Sequence, residues 1–470
     1  MTTMERAKKI RFAWLAGFVV ILAFVGWRLS SKRPVSPPQL RGSGDTLIIA
    51  ATGDWFAREP MPSDETDRDN GGVAQILKGA SLGLTTLEQD LLDEKKVPTL
   101  EKSSVPRWPY GTIRDAKELK RIGFMLVSLA NNHAADYGID GMKQTLGILD
   151  HEGVLHAGSG ENLQQAMTPV FVGEAPRRAA VIAVTTSATS ESRATYTQGE
   201  ILGRPGVNVL RYSARVTVDP STFATLSGAG IGTHSAAGDD PNQLIMSGTV
   251  IRKGQKTTVE FVGNEQDSND VLAQIRVARS NAGVVIVMLH SHEPSNESDT
   301  PAEFVQQFAR AAIDAGANLV VGDGPHQLRG IELYRGRLIL YSLGNFAFQS
   351  GAVDPSAIDV YDRGADLFGL KLGVLGNQES HPAPNPEEPI WWESVIAITK
   401  FEHGTLKSIQ LQPVDLGVDL PMAQRGVPRI ATPQRGAEIL QRLALLSQHF
   451  DTQLRIENGL GFIDIGQSQR

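Results

Sequence analysis

The chain has 470 residues, enough to bury one large core or two smaller ones, and it contains no cysteine. Disulfides and thiolate sites are therefore excluded, and any bound metal must be held by oxygen and imidazole ligands. The formal net charge is −7, while residues 1–33 alone hold seven Lys/Arg against one acidic side chain, so the rest of the chain is more acidic still and argues against nucleic acid as a partner.

In chain order, Arg6, Lys8, Lys9 and Arg11 precede an uncharged apolar run from Phe12 to Trp27. As a helix that run reaches roughly 24 Å at about 1.5 Å per residue, and Trp27 at the interface with Arg28 snorkelling extends its effective length. No A-x-A-like cleavage site follows in VGWRLSSKRP. The run therefore reads as a single-pass membrane anchor within residues 1–33, with a cleaved signal peptide as the alternative. The positive-inside rule keeps the basic end in the cytoplasm and places the bulk of the chain outside. Residues 34–45, rich in Pro, Ser and Gly, read as a tether.

From Thr46 the pattern becomes strand, loop, helix. LIIAATGD reads as a buried strand, and the acidic loop 58–72 as solvated. A helix is expected around Thr112–Arg121, a strand over 124–130 and a helix over Ile139–His151. The stretch 186–265, polar and rich in Gly, Thr and Ser, reads as an inserted lobe with a few strands. Helix over 271–283 and strand over 284–289 follow, then helix over Ala302–Ala315 and strand over 317–322. IELY and RLILYS meet at an Arg335-Gly336 turn, residues 393–416 read as a hairpin, and 436–450 form an amphipathic helix in a helical extension, 417–470. The alternation predicts a layered α/β domain over 46–416 with a largely buried sheet.

Five polar groups fall at or just after the ends of apolar strands: Asp54; Glu88; Asn131, Asn132 and His133; His290 and His292; and Asp323 and His326. Each alone has an ordinary structural explanation, as a turn residue, a cap or a hydrogen-bonded histidine. Together they fall on the edge where ligand sites form in α/β sheets. Carboxylates, imidazoles and an amide oxygen without sulfur form a divalent-cation set suited to Mn, Fe or Zn. Asn345, in YSLGNF, reads as a strand-ending turn residue close to that site, and His151 and His156 as capping or exposed residues.

These motifs, with ANNHAADYG and YSLGNF the most specific, resemble the capsule-synthesis CapA family, linked to poly-γ-glutamate capsules, over roughly residues 47–350. The family looks like a branch of the calcineurin-like metallophosphoesterases. The resemblance implies a four-layer αββα sandwich with an outward-facing, anchored body. It further implies Asp54, Glu88, Asn132, His290, Asp323 and His326 as metal ligands and His133 as the acid or electrostatic partner, with His292, Asn131 and Asn345 auxiliary. Three departures stand out: Thr86-Leu87-Glu88 replaces Asn-Leu-Glu, His290-Ser291-His292 replaces His-Trp-Gly, and Gly322-Asp323-Gly324-Pro325-His326 replaces Gly-His-His-Pro-His. Gly324 cannot bind a metal, whereas His292 offers a compensating imidazole.

Three functions remain open on this reading. One is a metal-dependent hydrolase or transferase acting on a cell-surface polymer or its precursor, within a capsule synthesis or export assembly. The second is a catalytically degraded module that binds or tethers an anionic polymer, and the third a general extracellular phosphoesterase.

Overall fold

A computed structural model of the chain describes residues 38–57, 68–93, 95, 110–230, 240–246, 249–349, 388–421 and 424–466. The apolar run Phe12–Trp27, the first part of the tether and most of the acidic loop lie outside these residues. Among the described residues no helix is long and apolar enough to cross a membrane. Packing begins earlier than Thr46. Leu40 is buried in the core, and Arg177 donates from its guanidinium to the carbonyls of Arg41, Gly42 and Thr46.

Two sheets face each other across the main core. The first is built around β1 (Thr46–Phe56), β2 (Leu82–Leu87), β3 (Leu126–Ser128) and β4 (Leu155–Ala157), which lie side by side and parallel. The second contains β5 (Val170–Val172), β6 (Ala179–Thr185), β7 (Val284–His290), β8 (Leu319–Asp323), β9 (Leu328–Tyr334) and β10 (Arg337–Leu343), in the order β9-β10-β8-β7-β6-β5. Strand β7 explains why no polar alternation marks these segments. Val284, Ile286 and Met288 face the inter-sheet core, while Val285, Val287 and Leu289 face a helical layer, so both faces are dry.

Helices complete the outer layers. Against the first sheet lie α1 (Arg68–Gly79), α2 (Ile113–Ile122) and α3 (Gly138–Glu152), contributing Leu77, Leu119 and Leu149 to a core shared with Trp55 and Phe124. Helix α2 starts where Thr112 and Asp115 form a capping box and stops at Gly123, whose φ is 123°. Against the second sheet lie α4 (Glu265–Asn281) and α5 (Glu303–Ala315), which bury Ile275 and Phe308. The result is the expected α/β/β/α sandwich.

Beyond this frame, the 186–265 stretch divides. Tyr212–Val218, Gln243–Met246, Thr249–Lys253 and Thr258–Gly263 form a separate four-stranded sheet with a small core of Val216, Val218, Phe223, Leu244 and Ile251. Residues before 211 instead return to the main body, with Asn208 accepting from the Thr185 amide through its carbonyl. The first sheet continues through β11 (Asn345–Phe348), which pairs with β1, and through the hairpin β12 (Glu393–Glu402) and β13 (Thr405–Asp415). The C-terminal segment is not helical alone. Helix α6 (Pro433–Gln448) is followed by β14 (Leu454–Glu457) and β15 (Leu460–Ile463), which extend the first sheet beside β13. These strands were missed because four-residue runs such as LRIE and LGFI carry too little periodicity to register.

Candidate metal centre

Strand register brings the polar groups together. In the first sheet Asp54 pairs with Thr86 on β2 and with Asn345 on β11, and Thr86 pairs in turn with Ser128. In the second sheet His290 is aligned with Asp323 on β8 and with Thr185 on β6. The same ends of parallel strands thus carry chemistry in both layers. Two bonds tie the layers across the gap: Thr86 Oγ1 donates to Asp323 Oδ2, and the Gly324 amide donates to Asp54 Oδ2 at 3.0 Å. Gly53 makes the approach of β1 feasible, since a Cβ there would lie 1.7 Å from the Gly344 carbonyl oxygen.

Around His290 the groups are tightly placed. Its Nδ1 lies 2.8 Å from Asp323 Oδ1 and 3.4 Å from Asp54 Oδ1. Its Nε2 lies 2.9 Å from Asn132 Oδ1, 3.1 Å from His292 Nε2 and 3.7 Å from Glu88 Oε1. His326 Nδ1 lies 3.0 Å from Asn345 Oδ1, 3.7 Å from Glu88 Oε2 and 3.8 Å from Asp54 Oδ2. Three sets, Asp54/His290/Asp323, Glu88/His290/His292 and Asp54/Glu88/His326, each hold their ligand atoms within 4.8 Å of one another.

The donor set fits a divalent cation. Asp54 Oδ1 and both oxygens of Glu88 are buried without a hydrogen-bond partner, an arrangement that costs about 1–3 kcal/mol per neutral group and more for a charge. Burial, then the Asp54 charge, raises Glu88 well above the usual carboxylate range, although His290 opposes the shift. Burial and Asp54 also raise Asp323, to about 6, against the hydrogen bond from His290. Burial disfavours a charge on His290, but its bond to Asp323 and the nearby Asp54 outweigh this and raise it well above the ordinary value. Positive charge is what the cluster draws in. With hard oxygens and borderline imidazoles present and sulfur absent, Mn²⁺, Fe²⁺ or Zn²⁺ matches the donors.

Other expected site residues stand outside the three sets. His133 is partly exposed, and its Nδ1 meets Asp136 Oδ2 at 2.7 Å. Asp136 is largely buried, and that burial raises it, its pairing with His133 pulling the other way. Asn131 is occupied by backbone: its Nδ2 donates to the Leu87 carbonyl at 2.8 Å and its Oδ1 accepts from the His133 amide at 2.9 Å. It braces the loop that presents Asn132. Asn345 likewise donates to the carbonyls of His326 and Trp391 while its Oδ1 meets the His326 ring.

Several contributors were not singled out from sequence. Asp136 could have been found as the carboxylate three residues beyond His133 in NNHAADYG. Asp90, raised to about 8 by burial and by Asp136, accepts from the Tyr137 amide and so anchors the start of α3. Arg329 is fully buried and gives its guanidinium to the carbonyls of His292, Glu293, Ser295 and Ser298; it had no local signal at all. Gly324 has φ 112° and a Cβ there would meet Ser291 backbone at 2.8 Å, so this backbone admits no imidazole at 324.

Comparison with known proteins shows the family. A family model described as bacterial capsule synthesis protein PGA_cap matches residues 48–350. The chain is 35% identical over 408 residues to the uncharacterized protein y4sH of Sinorhizobium fredii, covering 83% of this chain and 87% of that one. It is 25% identical to the capsule biosynthesis protein CapA of Bacillus anthracis, over 78% of this chain and 75% of the relative. The PGA biosynthesis protein CapA of Bacillus subtilis is 26% identical over 60% of this chain and 58% of its own length. With the family model matching well over half of the residues, including those of the second sheet and nearly all of the parallel strands of the first, the chain belongs to the bacterial capsule synthesis protein family PGA_cap, the CapA family.

Proposed function

We propose that the protein is a metal-dependent hydrolase or transferase that acts on a cell-surface polymer or its precursor within a capsule synthesis or export assembly. The observation that carries this reading is the set of partnerless buried oxygens on Asp54 and Glu88, facing His290 and His326 from another layer of the fold. A purely structural cluster of this kind would leave buried carboxyl oxygens without hydrogen bonds in a dry interior.

Asp54, Glu88, Asn132, His290, Asp323 and His326 would hold one or two divalent ions. A bound ion would supply positive charge to a phosphoryl or carbonyl centre as negative charge develops there. Asp323 orients His290, and Asn345 orients His326, each through the imidazole Nδ1. Asp136 orients the His133 ring through Nδ1, and His133 would act as the acid that passes a proton to the leaving group. The apolar run Phe12–Trp27 would anchor the protein in the membrane with this body outside, where a capsule precursor emerges. The CapA names of the two Bacillus relatives support the choice of substrate class.

Calorimetric titration of the chelator-treated full chain with Mn²⁺ and Zn²⁺ tests the reading. Binding of one or two ions, weakened at least about tenfold in Asp54→Ala and His326→Ala, is expected; failure of the wild-type chain to bind either ion would overturn it. Gly324 favours a second reading, because it thins the ligand set relative to the family pattern: a non-catalytic module that uses the same cleft to hold an anionic polymer. Polymer retention by metal-free protein, unchanged in Asp54→Ala, would select that reading.

A further inference from the structure

We propose that His292 completes a second cation position in this site, together with His290, Asn132 and Glu88, and that Asn296 is its positioning residue. The proposal rests on the metal-dependent reading above and supplies the ligand that Gly324 cannot.

Three atoms carry the argument. His290 Nε2, His292 Nε2 and Asn132 Oδ1 stand 2.9, 3.1 and 3.3 Å from one another. The opposite nitrogen of each ring is engaged: His290 Nδ1 with Asp323 Oδ1 at 2.8 Å, and His292 Nδ1 with Asn296 Oδ1 at 2.8 Å. A carboxylate and an amide oxygen only accept, so each Nδ1 carries a proton, and each Nε2 is left to offer its lone pair to an ion that displaces any proton shared there. Three lone-pair atoms then converge on one point. A single proton can bridge one pair of them, whereas one divalent ion satisfies all three. An ion bonded to each at roughly 2.0–2.2 Å would space its ligands about 3.0–3.5 Å apart, close to the spacing found. Glu88 Oε1, partnerless and 3.7 Å from His290 Nε2, is the natural fourth donor.

The loop is built to deliver this ring. The His292 amide donates to Ser187 Oγ at 3.1 Å, and its carbonyl accepts from Arg329 Nη2 at 3.2 Å. Arg329 gathers three further carbonyls of the same loop, those of Glu293, Ser295 and Ser298. His292 is therefore held from both sides of its backbone and from its outer ring nitrogen. Two borderline nitrogens with two oxygens favour Zn²⁺, Co²⁺ or Fe²⁺ at this position over Mg²⁺.

Titration of the metal-free full chain with Co²⁺, followed by calorimetry and visible absorption, tests the assignment. The wild-type chain should bind two ions. His292→Ala should keep one, lose the other and shift the cobalt spectrum, as expected when an imidazole nitrogen leaves the coordination shell. Asn296→Ala, which keeps both rings, should weaken the second ion by roughly 10- to 100-fold, the usual effect of removing an outer partner. If His292→Ala binds two ions with wild-type affinity and spectrum, the assignment fails while the metal-dependent reading stands. If the wild-type chain binds none, both fall. If His292→Ala does not show a cooperative melt, Asn296→Ala decides: unchanged affinity for the second ion overturns the proposal.

Discussion

Glu88 shows most directly what the site asks of single residues. Its carboxylate is buried with both oxygens partnerless, beside Asp54 and Asp323, so in the metal-free chain it favours its protonated form at the expense of stability. Glu88→Gln removes the charge and keeps the shape. The metal-free variant should be more stable than the wild type by about 1–3 kcal/mol, read by urea unfolding in chelator near pH 8, and should bind Mn²⁺ more weakly. A variant less stable than the wild type would show that Glu88 has partners of its own. The same scale separates expected site residues by what they touch. Asn132 meets two imidazoles, whereas its neighbour Asn131 gives both ends of its amide to backbone and acts by bracing the loop.

Elements place these groups, and two of them expose how. Strand β1 can bring Asp54 to the site because Gly53 passes against the Gly344 carbonyl with no room for a methyl group. Gly53→Ala should therefore cost on the order of 3 kcal/mol or more and reduce metal affinity together with stability, measured by thermal melting with and without Zn²⁺. A well-folded, metal-competent Gly53→Ala protein would show that β1 can shift without moving Asp54. Helix α2 makes a pH-dependent contribution. Burial raises its capping residue Asp115 from the ordinary 3.8 to about 6, against the pull of the Thr112 hydrogen bonds. An acid raised in the folded state binds its proton more tightly there than in the unfolded chain, so its contribution favours folding at low pH. That contribution declines as pH rises from about 4 through about 6, by an amount on the order of 3 kcal/mol. In Asp115→Asn this part of the decline should disappear from a pH series of denaturation midpoints; an unaltered slope over that window would contradict the assignment.

The whole molecule depends on the C-terminal segment more than its position suggests. Ile439, Leu440 and Leu443 of α6 belong to the core between the two sheets, and the Ser447 hydroxyl accepts from the Ile331 amide on β9. Three large side chains leaving such a core would each cost about 2–5 kcal/mol, comparable in sum with the stability of an ordinary domain. A chain ending at Thr432 should therefore lose its cooperative thermal transition, seen by near-ultraviolet circular dichroism; a truncated chain that melts as the full one does would refute this role.

Legibility in the sequence followed the strength of local patterns. Runs such as VVIVMLH and LVVGD announce strands because both faces are dry, and the helix after His133 announces itself by spacing and length. Weak elements stayed hidden: β14 and β15 are four residues long, and Arg329 lies among ordinary strand residues although it holds the His292 loop from inside the core. By itself the sequence determined the chemical inventory, namely no thiolate, several carboxylates and histidines at strand ends, and an alternation that requires layered sheets, because composition and periodicity are local properties. Only the tertiary structure decided which of these meet. Asp54 and Asp323 are separated by most of the chain, and strand order and register, which depend on packing between distant segments, set both against Nδ1 of His290 while leaving His133 to Asp136.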